Sequence, residues 1–395
     1  MSTPSQIQAF DTQVAPTSRA LIWVLGFFSF LNVYSMQSVL PVVTQDMGIT
    51  PAQAGMTVGV SLFAVAIVSP FMGMLSDAWG RRPIIVASMF ALTLPTALIA
   101  LAQNLPTVLV LRFLQGLAVP GIVVVLIAYL SEEHRSAGLA RMTSLFVGGN
   151  VIGGFSGRFF MGHFGDWMGW RSGFWFLALL NLAGALWVWR VFPASRHFVA
   201  NRNVSGALRM LGIHLRNPRL LAICAVGFCV LFTMLGTFTY INFHLAEEPF
   251  HLSSAGLANV FMVYLVGGFI TPFIGSVIAR HGYLLSMLGG LCLSACGLAL
   301  TLMPSLTVLI AGLILCSIGV FVCQSATISR IADRVTAGRS LATGLYYMSY
   351  YAGGSVGTLI TGLAYEIDAW PSAVFAIVLV QCLAGMITWR FLRTN

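Results

Sequence analysis

Apolar runs of about twenty residues recur along the whole chain and leave it few alternatives to a membrane-embedded helical bundle. They lie at about 19–43, 52–75, 83–103, 105–130, 141–163, 171–192, 218–244, 256–279, 283–303, 305–328, 340–365 and 370–391. About 20 apolar residues in a helix cross the hydrocarbon core of a bilayer. Twelve spans use most of the 395 residues, and the short connections leave no room for a separate soluble domain. Only 8% of residues are charged, against about a quarter in soluble domains. The same composition excludes a disulfide scaffold and a disordered chain. Residues 1–18 form a polar tail without a basic cluster, and no small-residue cleavage site follows the first run. That run therefore reads as a spanning helix and not as a removed signal.

All twenty basic residues are Arg, and the net charge is +9. They form no single patch or stripe, so nucleic acid is not an expected partner. Counted loop by loop from a cytoplasmic N-terminus, seventeen of the twenty fall in inside segments. Only Arg171 lies in an outside loop, while Arg112 and Arg158 lie within spans. The positive-inside rule then puts both termini in the cytoplasm. The seven Cys sit in apolar runs, where they pack as small hydrophobes. Cys292 and Cys296 share a helix face with no His or carboxylate beside them, so neither a metal site nor a cofactor is expected.

The chain repeats itself. Ser69-Pro70-Phe71-Met72-Gly73 returns 202 residues on as Thr271-Pro272-Phe273-Ile274-Gly275. Gly153-Gly154-x-x-Gly157 returns 200 residues on as Gly353-Gly354-x-x-Gly357. Two six-helix halves follow, 19–192 and 218–395, joined by a basic cytoplasmic linker over 193–217. Parallel repeats of this kind place a transport site between the halves.

Three motifs carry a resemblance. Gly73-Met-Leu-Ser-Asp77-Ala-Trp-Gly80-Arg81-Arg82 resembles the loop signature after the second span of the major facilitator superfamily. Arg112-Phe-Leu-Gln115-Gly116 is similar to the R-x-x-Q-G motif of its proton-coupled drug exporters. Gly149-x-x-x-Gly153-Gly154-x-x-Gly157 is similar to their antiporter motif. The resemblance covers the whole chain and lies closest to twelve-span drug:proton antiporters, among them arabinose-efflux-type exporters of bacterial inner membranes. It implies an all-α fold of two six-helix halves, proton coupling through Arg112 and Gln115, and a cytoplasmic gate at Gly73, Asp77, Gly80, Arg81 and Arg82. In that gate Asp77 and the arginines hold the cytoplasmic side shut. The chain departs from the family pattern in having Ala78 where a base usually follows the acid, and Gly154 where Pro is usual.

The residues themselves point to a polar layer inside the membrane. A cation at mid-span costs about 2.5–3.5 kcal/mol on insertion scales, so it faces a cavity or a partner. Arg112 lies about 10 Å and Arg158 about 8 Å below the outer boundary at 1.5 Å per residue, and Gln37 shares that depth. These three are expected to form one layer. Gly149, Gly153, Gly154 and Gly157 let neighbouring backbones approach. Asn32, Tyr34, Tyr240, Asn242, Gln324, Tyr346 and Tyr350 complete the amphipathic pocket candidates.

No carboxylate and no His lies mid-span. A titrating group would have to sit near an end, at Asp46 or Asp166, or the solute would carry its own proton. The expected protein is a monomeric secondary transporter of a bacterial inner membrane. It would export a small amphipathic or sugar-like solute by alternating access, coupled to protons. The alternative is an organic-anion exchanger or uptake carrier that binds its solute at Arg112 and Arg158. A non-transporting receptor has no supporting feature, and no nucleophile–base pair suggests an enzyme. On this reading Arg112→Ala abolishes coupled transport and leaves the protein folded.

Overall fold

The computed structural model describes residues 16–133, 136–193, 212–334 and 339–392. Residues 1–15, within the expected tail, and 194–211, most of the expected linker, lie outside the described residues. Among the described residues every regular element is a helix. The chain runs from α1 (Pro16–Leu31) through a 3₁₀ turn (Ser35–Val39) to α2 (Leu40–Met47). It continues with α3 (Pro51–Trp79), α4 (Arg81–Ile99), α5 (Leu105–Glu133), α6 (Ser136–Met168) and α7 (Trp170–Val191). After the linker come α8 (Pro218–Ala246), α9 (Ser254–Val260), a second 3₁₀ turn (Phe261–Tyr264), α10 (Leu265–Leu300), α11 (Leu306–Arg334) and α12 (Arg339–Leu392).

Eight of these helices are long and apolar enough to cross a membrane, and the pair Arg19–Leu31 and Ser35–Met47, bent by 45°, makes nine. Large apolar side chains such as Leu94, Val110, Leu179, Phe375 and Met386 are exposed, as expected of a surface solvated by lipid.

Local chemistry sets the helix ends. Thr50 and Gln53 form a reciprocal capping box ahead of Pro51, which starts α3 with its φ already helical. Asn217 caps α8 ahead of Pro218 by accepting the Arg219 and Leu220 N–H groups on its side-chain oxygen. Sharp corners between helical segments use positive φ: Gly80 at 95°, Gly169 at 82° and Gly282 at 77°. Glycine adopts that region because it has no Cβ. The fourth such corner, 200 residues after Gly169, is Ala369 at φ 46°, which divides α12 in two.

Small residues bring the helices together in two groups, α1–α7 and α8–α12. A Cβ on Gly149, Gly153 or Gly157 would lie 1.9–2.2 Å from a carbonyl oxygen of α1, so α1 and α6 touch backbone to backbone. Gly353 and Gly357 repeat that contact between α12 and Phe228 and Phe232 of α8. The groups meet at one end of the molecule. There Gly59 abuts Thr358, Gly354 abuts Leu62, and Gly162 abuts Ser254 and Ala258. Toward the other end Gly148, Gly275 and Gly344 have nothing within 4 Å and take no part in such close contacts.

Candidate functional site

The site begins with a break in the first apolar segment. The helix stops at Leu31 and resumes as a 3₁₀ turn at Ser35, so carbonyls around Asn32 lose their helical donors. Such groups must be satisfied inside a membrane protein. The Arg112 guanidinium does it. Nη1 donates to the Asn32 carbonyl at 2.8 Å, Nη2 to the Val33 carbonyl at 2.6 Å, and Nε to the Thr57 carbonyl of α3 at 2.8 Å. Nη1 also donates to Gln115 Oε1 at 2.8 Å, and Gln115 Nε2 donates to Thr96 Oγ1 at 2.7 Å. Beside them Asn32 and Asn181 exchange side-chain hydrogen bonds of 3.0 Å each way. Arg112 and Thr96 are fully buried, and every member of this network belongs to α1–α7.

Arg158 occupies the other side of the same break. Its Nε donates to Gln37 Oε1 at 2.7 Å and its Nη1 to the Gly154 carbonyl at 2.9 Å. The guanidinium carbon lies 4.5 Å from the ring centroid of Tyr34, and 4.7 Å from those of Phe261 and Tyr264. Tyr34 and Gln37 come from the first group, Phe261 and Tyr264 from the second. Gln37 Nε2 adds a bond to Thr239 Oγ1 of α8 at 3.0 Å. Arg158 is 1% exposed, and among the described residues no carboxylate pairs with it. The expected single layer is thus two clusters. Gln37 joins Arg158, while Arg112 faces the opposite side of the break.

The remaining expected residues divide by place. Tyr350 stacks on Tyr346 at 5.7 Å, and the Tyr346 and Thr327 hydroxyls are 3.0 Å apart. Tyr264 packs edge-on against Phe238 and Phe321 at 5.6 Å each, extending the aromatic wall. Gln324 is half-buried on α11. Tyr240 lies away from the Arg158 cluster. It fills the notch between Gly55 and Gly362 at the joined end, with its hydroxyl donating to the Thr358 carbonyl at 2.6 Å. Asn242 donates to the Phe238 and Thr239 carbonyls of its own helix. Gly154 stands apart from the three packing glycines and faces Tyr34 and Arg158.

The two ends differ. At the joined end Asp166 Oδ2 accepts the Ala255 N–H and Glu366 Oε1 accepts the Ala52 N–H, both at 3.1 Å. Each carboxylate reaches from one group to the first turn of a helix in the other. Free N–H groups and the helix dipole favour negative charge there. Asp166 and Glu366 are 200 residues apart, so the two contacts are counterparts in the repeat. His163 Nε2 and Asn259 Oδ1 add a third link at 3.3 Å. Asp46 pairs within the first group, with Arg171 at 2.6 Å and Trp170 Nε1 at 3.2 Å.

At the other end Arg81 binds Asp77 at 2.6 Å and Glu132 at 2.5 Å, and also reaches the Ser76 hydroxyl. Arg82 donates to the Trp189 carbonyl at 3.1 Å. Gly80 forms the corner that delivers both arginines, and Gly73 lies 4.0 Å from Val124.

Sequence reasoning missed Thr96, Asn181, Glu132, Phe261 and Glu366 as members of these clusters. Asn181 was visible as a lone amide amid the 171–192 run. Phe261 carried no signal, because one more Phe in an apolar run is unremarked until the backbone turns it toward a cation.

A bundle in two repeated groups, joined at one end and holding buried cations about a broken helix, defines a membrane transporter. The Major Facilitator Superfamily model matches residues 22–335 and 247–395, and the chain belongs to that family. It is 32% identical over 397 residues to the inner membrane transport protein YnfM of Escherichia coli (strain K12), covering 100% of this chain and 94% of that protein. It is 31% identical over 368 residues to the uncharacterized MFS-type transporter YybF of Bacillus subtilis (strain 168), covering 93% and 89%. A solved bacterial homolog of the human lysosomal transporter Spinster, in an inward-facing and occupied conformation, shares the fold. Its TM-score is 0.80 at 16% identity, covering 100% of this chain and 98% of that one. The protein is a multi-pass inner-membrane transporter and not an enzyme.

Proposed function

We propose that the protein is a twelve-span secondary transporter with both termini in the cytoplasm, exporting a small amphipathic solute by alternating access. The observation that carries this reading is the contrast between the ends. Matching carboxylate contacts close the groups together at Asp166 and Glu366, whereas Asp77, Arg81, Glu132 and Arg82 at the other end bond within the first group. The twelve spans follow if the breaks at Gly282 and at Asp368–Ala369 separate antiparallel spans and α6 also crosses the membrane. The positive-inside rule then assigns the Arg81 end to the cytoplasm, and on this reading the state with the outer end joined is the inward-facing one.

In the cycle, solute enters from the cytoplasm and meets Tyr34, Gln37 and Arg158 on one side and Phe261, Tyr264 and Tyr350 on the other. Closing the cytoplasmic end re-uses Asp77 and Arg81. Opening the outer end breaks the Asp166 and Glu366 contacts and withdraws Tyr240 from its glycine notch. Arg112 serves as a positioning residue that fixes the broken helix. The described carboxylates all sit at helix ends, so on this reading the cycle uses no titrating side chain at mid-membrane.

Spin labels test the cycle in a background lacking the native cysteines. One pair is placed at Gln53 and Asp368, the other at Trp79 and Arg280. In lipid the account expects two distances for each pair, with the populations of the two ends changing in opposite directions. A single unchanging distance at both ends overturns it.

A further inference from the structure

Arg158 is a full charge without a counter-charge. A guanidinium stays protonated inside proteins, and this one is 1% exposed within an apolar bundle. Its acceptors are neutral oxygens, from Gln37 and Gly154 with the Tyr264 hydroxyl also within reach, and the rest of its surroundings are ring faces. Ring quadrupoles attract a cation but do not neutralise it. Arg112 shows the alternative outcome. Three backbone carbonyls and an amide oxygen occupy its donors, all inside one group, and no room is left for a solute.

We propose that the solute is a small organic monoanion whose carboxylate binds the Arg158 guanidinium, with a planar or aromatic body against Tyr34, Tyr264 and Tyr350. This deepens the carrier reading above and rests on it. A carboxylate matches the guanidinium fork and accepts two parallel hydrogen bonds from it. To reach that fork it must displace rings contributed by the second group, Phe261 and Tyr264. Binding therefore changes the contact between the groups, which is what an alternating-access cycle requires of its solute. A cationic solute meets Arg158 as a like charge, and a neutral one leaves that charge uncompensated.

The charge also supplies the driving force. A membrane potential that is negative inside expels an anion, so export needs no titrating residue at mid-membrane. That agrees with a chain whose described carboxylates are confined to helix ends.

The test uses purified full-length protein and three families of probe: benzoate, phenylacetate and hexanoate, each beside its amide and its amine. Thermal unfolding is followed for wild type, Arg158→Gln and Arg158→Lys. At least one carboxylate is expected to raise Tm in wild type while its amide and amine do not. Arg158→Gln is expected to weaken that carboxylate about 10-fold or more, and Arg158→Lys to restore part of the loss. The proposal is overturned by an amine or amide that stabilises as well as the acid, by an undiminished acid effect in Arg158→Gln, or by no acid acting on wild type. Should Arg158→Gln fail to fold, Tyr264→Phe replaces it, with a change in acid affinity at an unchanged amide response expected and equal responses overturning. Counterflow in liposomes separates the two readings. An acid that binds but never exchanges keeps the site and overturns the carrier, whereas exchange confined to neutral or cationic solutes keeps the carrier and overturns the site.

Discussion

Two arginines lie buried on opposite sides of one helix break, and they have opposite surroundings. Arg112 is held by oxygens from a single group, and its network closes on itself through Gln115, Thr96, Asn32 and Asn181. Arg158 is held by neutral oxygens and three rings, and the rings come from both groups. A buried cation saturated by backbone oxygens fixes a structure. One faced by rings across a moving interface is available to a ligand. On the reading proposed above, Arg112 therefore belongs to the scaffold and Arg158 to the site.

The sharpest way to break this comparison is Arg112→Ala. It removes the side-chain donor from the Val33 carbonyl and from Gln115 Oε1 in the membrane interior, and one of the donors to the Asn32 and Thr57 carbonyls. Leaving one such group unpaired costs about 1–3 kcal/mol. The expected outcome is loss of folded protein on size-exclusion chromatography, contrary to the folded but uncoupled mutant that the sequence motif alone suggested. A well-folded Arg112→Ala with altered solute binding would reverse the two assignments.

The second group carries a polar core of its own without an arginine. Gln381, 200 residues after Asn181, donates to Ser294 at 2.7 Å, but its Oε1 has no partner among the described residues. Asn181→Leu should therefore destabilise by about 2–3 kcal/mol, by orphaning the amide of Asn32. Gln381→Leu should stay within about 1 kcal/mol of wild type, since it removes one bond together with one unsatisfied oxygen. Denaturation in a fixed detergent compares the two.

Loosening the joined end should affect Arg158 and spare Arg112. A contact between a carboxylate and an exposed helix N-terminus is worth about 0.3–1 kcal/mol. Asp166→Asn and Glu366→Gln should thus each shift the population toward the outward-open state by about 2- to 5-fold. Hydrogen exchange should rise at 254–264 and stay unchanged around Asn181. A separate effect, local to one turn, is expected at the corner where the repeat loses its glycine. Ala369→Gly relieves a positive φ of 46° and should stabilise by about 1 kcal/mol, read as a rise in Tm. The equivalent corner, Gly169, needs no such relief.

The fold was legible because its physics is local. Apolar length, loop charge and glycine spacing each mark a helix or a helix contact, and the repeat at 200–202 residues matches the paired corners and packing glycines. The buried cations were legible too, since Arg112 and Arg158 stand out in apolar runs. Their partners were not. The break after Leu31 leaves no composition signal, yet it turns Asn32 and Val33 toward Arg112 and Tyr34 toward Arg158. Tyr240 looked like a pocket residue and instead plugs a notch made by Gly55 and Gly362, two glycines distant in sequence. Glu366 and Ala52 meet only because the two groups close, and no window of sequence holds both.

The most direct test of the central claim is flux under an imposed potential. Liposomes containing wild type or Arg158→Gln are loaded with the radiolabelled carboxylate that stabilises wild type most, and a potassium gradient with valinomycin sets the voltage. The account predicts that an inside-negative potential accelerates wild-type efflux and that Arg158→Gln shows neither the flux nor its voltage dependence. Efflux that ignores voltage, or that survives intact in Arg158→Gln, would contradict it.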